Sequence, residues 1–240
     1  MNEDTSTPAR QMSASPSSRD QNTPRDAGAS ETTLYFVRHG ETEYNRKGIM
    51  QGSGVDSSLN DTGREQAETL KERFSLVDVD VIYSSTLRRA RQTADVISEA
   101  LPGVRREVLP DLNEISWGIL EGEPPSKKRD AALGWVKDKW RRGEYGHRVE
   151  NGESILDVKT RAESAAKHLV QMHHGETVVA VTHGRYLRVL IAAICDFYDL
   201  SDMSTLGHDN TCVNRIMHRQ GRFHADLLNC TAHLNVLSNA

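Results

Sequence analysis

Two histidines stand at the ends of predicted strands, and each is followed by a glycine. His39 comes after the strand-forming residues 34–37, and His183 comes after an unbroken run that is mostly apolar. Arg38 directly precedes His39. A neutral imidazole is a competent nucleophile near its ordinary pKa of about 6.5, and the arginine fork can hold two oxygens of a phosphate. This combination suits attack on the phosphorus of a dianionic phosphate monoester.

The elements that would position these residues alternate between strand and helix. Four strands are predicted at 33–37, 79–83, 104–109 and 176–182, and a closing hairpin is predicted from 212–218 and 222–228. Apolar residues at helical spacing predict helices from residue 62 through Phe74, from Leu87 up to Pro102, at 154–172 and at 185–194. The expected fold class is α/β, a three-layer α/β/α arrangement with a mainly parallel central sheet and helices on both faces.

Ligands in such folds bind beyond the carboxyl ends of the strands. Arg38 and His39 follow the first strand, the pair Arg88–Arg89 follows the second, and His183 follows a later one. We therefore expect these charged groups to meet at one edge of the sheet, although they are far apart in the chain. Neither a GxGxxG motif after a strand nor a phosphate-binding P-loop motif is present, so a dinucleotide site is not expected.

Five blocks in a fixed order extend this pattern, at residues 38–45, 84–94, 112–122, 152–154 and 182–184. Together they resemble the histidine phosphatase superfamily, in its phosphoglycerate-mutase-like branch. The similarity covers residues 33–237. It implies a domain at 33–240 with a lid or insert at about 119–153, and the family's phosphoglycerate-mutase-like fold.

The resemblance also implies roles for five residues. His39 matches the histidine that accepts the phosphoryl group, and Glu114 matches the proton donor. Arg38, Arg89 and His183 match the groups that bind phosphate in the family. The family pattern places the second arginine at Arg89, not Arg88. Further positions that line the phosphate pocket match Thr42, Asn45, Gln51, Gly52 and Gly184.

The implied function is a metal-independent phosphatase without a cofactor, which hydrolyses phosphate monoesters through a phosphohistidine. One alternative is a mutase that transfers the phosphoryl group between hydroxyls, with 2,3-bisphosphoglycerate as cofactor. The segment between Glu114 and His183 is shorter than in the mutases, which favours hydrolysis. A second alternative is an inactive module that binds phosphorylated ligands. Arg185 departs from the family pattern, and its guanidinium either contacts a second anionic group of the substrate or faces solvent.

Composition limits the remaining possibilities. Residues 1–32 hold only Met1 and Met12 as large apolar side chains and three of the seven prolines, so we expect a disordered tail. The tail lacks the apolar segment of a secretory signal, and three cysteines without CxxC spacing indicate reduced thiols, so a cytoplasmic location is expected.

A net charge of −4 argues against nucleic-acid binding, and no run could span a membrane. The expected partner is a small phosphorylated substrate such as a sugar phosphate or phosphoglycerate, and both a monomer and a homodimer stay open.

Overall fold

The computed structural model describes residues 31–239. Residues 1–30 of the predicted disordered tail therefore lie outside the described part of the chain. The first strand begins at Thr32, one residue earlier than expected, and Thr32 is buried. Its hydroxyl donates a hydrogen bond to the carbonyl of His173 at 3.2 Å, which fixes the start of the strand against the end of a distant helix.

Within residues 31–239, six strands form one mixed sheet. They are β1 (Thr32–Arg38), β2 (Val81–Ser84), β3 (Arg105–Val108), β4 (Thr177–Thr182), β5 (Val213–Arg219) and β6 (Arg222–Cys230). Their order across the sheet is β3-β2-β4-β1-β5-β6, in which the first four strands are parallel and the hairpin of β5 and β6 is antiparallel. Because β1 and β4 pair in register, with Arg38 opposite Thr182, the residues that follow them lie side by side.

In the described part of the chain, six α-helices connect or cover the strands. They are α1 (Glu43–Arg46), α2 (Asp61–Phe74), α3 (Arg88–Glu99), α4 (Lys127–Arg141), α5 (Ile155–Met172) and α6 (Gly184–Ile194). Short 3-10 segments lie at Pro110–Leu112, Gly118–Leu120, Leu200–Ser204 and Ala232–Asn239. Among residues 31–239, no helix combines the length and apolar character needed to cross a bilayer.

The N-terminus of α2 corrects one sequence expectation. The capping-box spacing of residues 62–65 predicts a start at Thr62, but the capping residue is Asn60. The Asn60 side chain accepts a hydrogen bond from Gly63 N at 2.8 Å, which satisfies one of the free amides at the helix start. Thr62 is exposed within the first turn.

The two faces of the sheet carry separate cores. Leu34 and Phe36 of β1 point towards α5 and α6, whereas Tyr35 and Val37 point towards α2 and α3. Phe74 of α2 packs edge-on against Tyr35, with ring centroids 5.5 Å apart. Each fully buried large apolar side chain contributes about 1.5–3 kcal/mol through removal from water. This two-sided burial confirms the predicted three-layer α/β/α class.

The segment at about 119–153, which the family resemblance predicts to be a lid or insert, contains α4. Ser126 begins this helix by accepting a hydrogen bond from Arg129 N at 3.2 Å. Leu133, Val136 and Trp140 are its buried residues, and they join the core on the α5 and α6 face. The segment is thereby attached to the side of the sheet on which α6 begins.

Candidate active site

The two histidines of the sequence pattern meet at the carboxyl end of the sheet. Their ring centroids are 5.1 Å apart and the rings are tilted by 56°. His39 is 3% exposed and His183 is fully buried. His39 N donates to Thr182 O at 3.0 Å, which continues the pairing of β1 and β4 by one residue. The parallel register therefore creates the pair from residues that are 144 positions apart (183 minus 39).

The tautomer of His39 follows from its hydrogen bond. Its Nδ1 lies 2.7 Å from the carbonyl oxygen of Gly40, which can only accept, so Nδ1 carries the proton. The lone pair is then on Nε2. The backbone on either side is fixed, because Gly40 N donates to Thr93 Oγ1 at 3.1 Å and Asn210 Nδ2 donates to His39 O at 3.1 Å. This arrangement presents a nucleophilic nitrogen in a fixed orientation.

Arg89 is completely buried at the N-terminus of α3. Its guanidinium donates to Val55 O at 2.7 Å and to Gly52 O at 3.0 Å, and no described residue accepts from its Nε. Burial lowers the pKa of Arg89 to about 10, which leaves it cationic at neutral pH. Arg88, by contrast, is exposed beside Asp56, as the sequence pattern predicts.

Arg38 approaches the histidines from the end of β1. Its guanidinium donates to the carbonyl of His208, and its buried Nε has no acceptor among the described residues. Gly184 makes room for this side chain, since a Cβ there would lie 3.2 Å from Arg38 Nε and 3.0 Å from the His208 ring. Gly184 thus positions a cation and need not touch a ligand itself.

Charge and burial act together on the histidines. Burial, followed by Arg89 and Arg38, lowers the pKa of His39 well below 6.5. Burial, followed by Arg89 and His39, does the same for the pKa of His183. Both imidazoles are therefore neutral at neutral pH. The site combines a neutral imidazole with two cations, the fully buried Arg89 and the partly buried Arg38, which suits a dianionic ligand.

This charge state predicts a loss of stability in acid. Below pH 6.5 the unfolded chain protonates these histidines, while the native pKa values of His39 and His183 keep both rings neutral. The unfolded state then binds more protons, so the free energy of unfolding falls as pH drops below 6.5, by up to about 1.4 kcal/mol per pH unit for each histidine. His183→Gln should show a shallower decline than the wild type in urea unfolding between pH 7 and pH 5, whereas the exposed His168→Gln control should not. Parallel slopes for the wild type and His183→Gln would contradict the assignment.

His183 depends on a partner that the sequence analysis missed. Its Nε2 lies 2.7 Å from Ser85 Oγ, and its buried Nδ1 has no partner among residues 31–239. Leu87 N donates to the same Oγ at 3.3 Å, which orients the serine. Ser85 directly follows β2, and this position at a strand end was the sequence signal that could have placed it in the site. A donated Ser85 hydroxyl proton leaves Nδ1 protonated and free to contact a ligand.

Glu114 lies at the N-terminus of α6. Its Oε1 accepts from Ile115 N and Tyr186 N, each at 2.9 Å, and its Oε2 accepts from Arg185 N at 3.0 Å. The Glu114 carbonyl accepts from Arg161 at 3.1 Å. Its charge also acts on Arg38 and Arg89, where it opposes the decrease in pKa that burial causes. The carboxylate is thus fixed at the first turn of α6, which begins directly after His183, and its charge acts on both arginines.

The loop after β1 supplies amide groups. Asn45 Oδ1 accepts from Thr42 N at 3.2 Å, and Gln51 Oε1 accepts from Thr42 Oγ1 at 3.2 Å. With these oxygens engaged, the Nδ2 and Nε2 groups are the donors that remain. Gly52 seats Arg89 through its carbonyl, and a Cβ at this position would lie 2.0 Å from Glu121 Oε1. In the part of the chain from 31 to 239, no three His, Cys, Asp or Glu side chains are grouped to hold a metal ion.

Comparison with known proteins agrees with this geometry. The family profile of the histidine phosphatase superfamily (branch 1) matches residues 34–231. The chain belongs to this superfamily. Phosphoserine phosphatase 1 of Hydrogenobacter thermophilus is 33% identical over 207 residues, which cover 84% of this chain and 93% of that protein. The solved structure of Bacillus stearothermophilus YhfR has a TM-score of 0.77 at 32% identity and covers 85% of this chain and 99% of its own.

Both reaction types considered for this histidine phosphatase occur among the names of its relatives. A probable phosphoglycerate mutase, GpmB, of Enterobacter sp. (strain 638) is 32% identical over 161 residues, covering 67% of this chain and 74% of that protein. The predicted family, fold class and phosphatase class are confirmed. The roles of the individual site residues stay predictions.

Proposed function

We propose that this histidine phosphatase hydrolyses small phosphate monoesters through a phosphohistidine on Nε2 of His39, with Glu114 as the proton donor. One observation carries the proposal. The Nδ1 proton of His39 is held by Gly40 O at 2.7 Å, which leaves the opposite nitrogen with its lone pair near two arginines, the fully buried Arg89 and the partly buried Arg38. Few other tasks need a neutral imidazole in such a strongly cationic place.

The first step forms a nitrogen–phosphorus bond and breaks the ester bond. His39 Nε2 attacks phosphorus in line with the leaving oxygen, and protonated Glu114 delivers its proton to that oxygen, which departs as an alcohol. Arg38 and Arg89 hold the equatorial oxygens through their unpartnered Nε groups, and His183 adds Nδ1. The amide groups of Asn45 and Gln51 supply two further donors.

The second step returns the enzyme to its starting state. Water attacks phosphorus, Glu114 takes a proton from it, the nitrogen–phosphorus bond breaks, and inorganic phosphate leaves. The arginines supply the charge neutralisation that phosphoryl transfer requires, so the proposed reaction uses no metal ion. Addition of a chelator should leave the rate unchanged, and inhibition by a chelator would contradict this part of the proposal.

Hydrolysis and phosphoryl transfer predict different products from the same substrate. With 3-phosphoglycerate and a trace of 2,3-bisphosphoglycerate, we expect release of inorganic phosphate and little 2-phosphoglycerate. Both products can be followed together by phosphorus NMR, with the His39→Ala protein as the blank. Dominant formation of the 2-isomer would favour the mutase, which the relative named as a probable phosphoglycerate mutase makes the second candidate. The third reading, an inactive binding module, predicts neither product.

The substrate and the location are part of the proposal. A relative named phosphoserine phosphatase supports a small phosphorylated metabolite as the substrate. The three cysteines Cys195, Cys212 and Cys230 are all free. Reduced thiols of this kind support a cytoplasmic location.

A further inference from the structure

A basic cleft lies at the first turns of α6, the helix that begins directly after His183. It has a volume of about 230 Å³. Its cationic lining residues are Lys137, Arg141, Arg185 and Arg188, and its apolar wall includes Trp140 and Met203. The cleft therefore combines α4 of the insert with the first turns of α6. Nothing in the proposed two-step reaction uses these cations.

Among residues 31–239, three of these cations, Lys137, Arg185 and Arg188, form no ion pair. The Nε atoms of Arg185 and Arg188 are buried, and no described residue accepts from them. The ion pairs of α4 involve Arg129, Lys139 and Arg141, and they leave Lys137 out. A buried polar group without a partner costs free energy unless a ligand satisfies it.

The cations also repel one another. Burial and then the charge of Arg188 lower the pKa of Arg185 to about 10. Burial, followed by Arg185, Arg141 and Arg188, lowers the pKa of Lys137. A group that enters this cleft and carries a negative charge would relieve both the repulsion and the missing hydrogen bonds. Trp140 and Met203 reduce access of water on one side, which strengthens such an interaction.

His208 connects the cleft with Arg38, one of the two arginines that are proposed to hold the scissile phosphate. The pKa of this half-buried histidine falls to about 3 because of burial and then the charges of Arg38, Arg188 and Arg185. The carbonyl of His208 accepts a hydrogen bond from Arg38, so this residue contacts the arginine that is proposed to hold the scissile phosphate. Arg185 connects the two sites as well. Its side chain lines the cleft, and its backbone N–H donates a hydrogen bond to Glu114 Oε2 at 3.0 Å.

We infer that this cleft binds a second anionic group of the substrate, a carboxylate or a second phosphate, while the scissile phosphate lies against His39. The inference rests on the proposed function for the position of the first phosphate. It replaces the two sequence-based alternatives for Arg185 by one, since its side chain lines a cleft and lies 5.9 Å from the Trp117 ring centroid. The preferred substrates are then phosphate monoesters with a second negative charge.

Binding measurements on the His39→Ala protein test this without turnover. 3-Phosphoglycerate and glycerol 3-phosphate share a skeleton and differ in that a hydroxymethyl group replaces the carboxylate. Calorimetry should show 3-phosphoglycerate binding about tenfold or more tightly than glycerol 3-phosphate. A second pair, propane-1,3-diol bisphosphate and its monophosphate, shows whether a phosphate is preferred to a carboxylate.

Charge-removing variants connect the preference to the cleft. Adding Lys137→Met or Arg185→Met to the His39→Ala protein should reduce the affinity ratio within each pair by about tenfold. Lys128→Met removes an exposed lysine from the same helix and should leave the ratios unchanged. Equal affinities within both pairs, or ratios that the cleft variants do not alter, would overturn the inference. Because binding needs no catalysis, such a failure is distinct from absence of phosphate release by the wild type, which would contradict the proposed function.

Discussion

The His39→Ala variant is expected to lose turnover of 4-nitrophenyl phosphate, with kcat reduced by about 10⁴-fold or more. No other described side chain offers a neutral nitrogen with a free lone pair between Arg38 and Arg89. His183 is 5.1 Å away, ring to ring, but its Nε2 is engaged by Ser85. Steady-state release of nitrophenolate measures the loss.

The controls separate loss of chemistry from loss of fold. His168→Ala removes an exposed histidine from α5 and should keep full activity. His39→Ala should retain the circular dichroism spectrum and the cooperative unfolding of the wild type, because the imidazole contributes one internal hydrogen bond, to Gly40. A folded His39→Ala protein that still turns over substrate would eliminate His39 as the nucleophile.

The second large effect is expected for Glu114→Gln, and it should depend on the leaving group. An alkyl phosphate releases a strongly basic alkoxide that needs a proton, so its kcat should fall by about 10²–10⁴-fold. 4-Nitrophenolate leaves without protonation, and its release should fall less than about tenfold. Comparison of kcat for glycerol 3-phosphate and 4-nitrophenyl phosphate measures the difference.

Glu153→Gln is the matched control for this experiment. Glu153 also accepts from a backbone amide, Ser116 N at 2.8 Å, and pairs with Arg161. Because Glu153 has a structural role, Glu153→Gln should change kcat for both substrates by the same factor. If Glu114→Gln slows both substrates equally, Glu114 positions α6 and does not donate the proton.

Much of the site could be predicted because strand ends fix it. His39 and His183 each follow a run that predicts a strand, and the parallel register of β1 and β4 brings the two histidines together. Arg89 could be separated from Arg88 by the family pattern, and the helix that begins at Arg88 buries one and exposes the other. Local sequence therefore carries information wherever a residue directly follows a strand.

Other parts could not be predicted because they depend on distant contacts. His208 lies in no recognisable motif, yet its carbonyl accepts a hydrogen bond from Arg38, and a Cβ at Gly184 would lie 3.0 Å from its ring. Helix α4 was not predicted, since only three of its residues, Leu133, Val136 and Trp140, are buried, and their burial depends on packing against the α5 and α6 face. The start of α2 was misplaced because Asn60 competes with Thr62 as the cap.

The basic cleft shows the same limit. The sequence singled out Arg185 but left two opposite roles open, since a helix position alone does not say what covers it. Only the packing of α4 brings Lys137 to Arg185 and Arg188 and makes a shared cleft from them. The proposed specificity therefore depends on the segment that contains α4, whereas the proposed chemistry depends on residues at the strand ends of the sheet.

Rapid quenching during turnover tests the central claim most directly. Wild-type protein mixed with ³²P-labelled substrate and quenched in base within milliseconds should carry an acid-labile, base-stable label. Mass spectrometry should place it on the peptide that contains His39, bonded through Nε2, and the His39→Ala protein should carry none. A wild type that turns over substrate without any labelled histidine, or with the label on His183 or another side chain, would contradict the account.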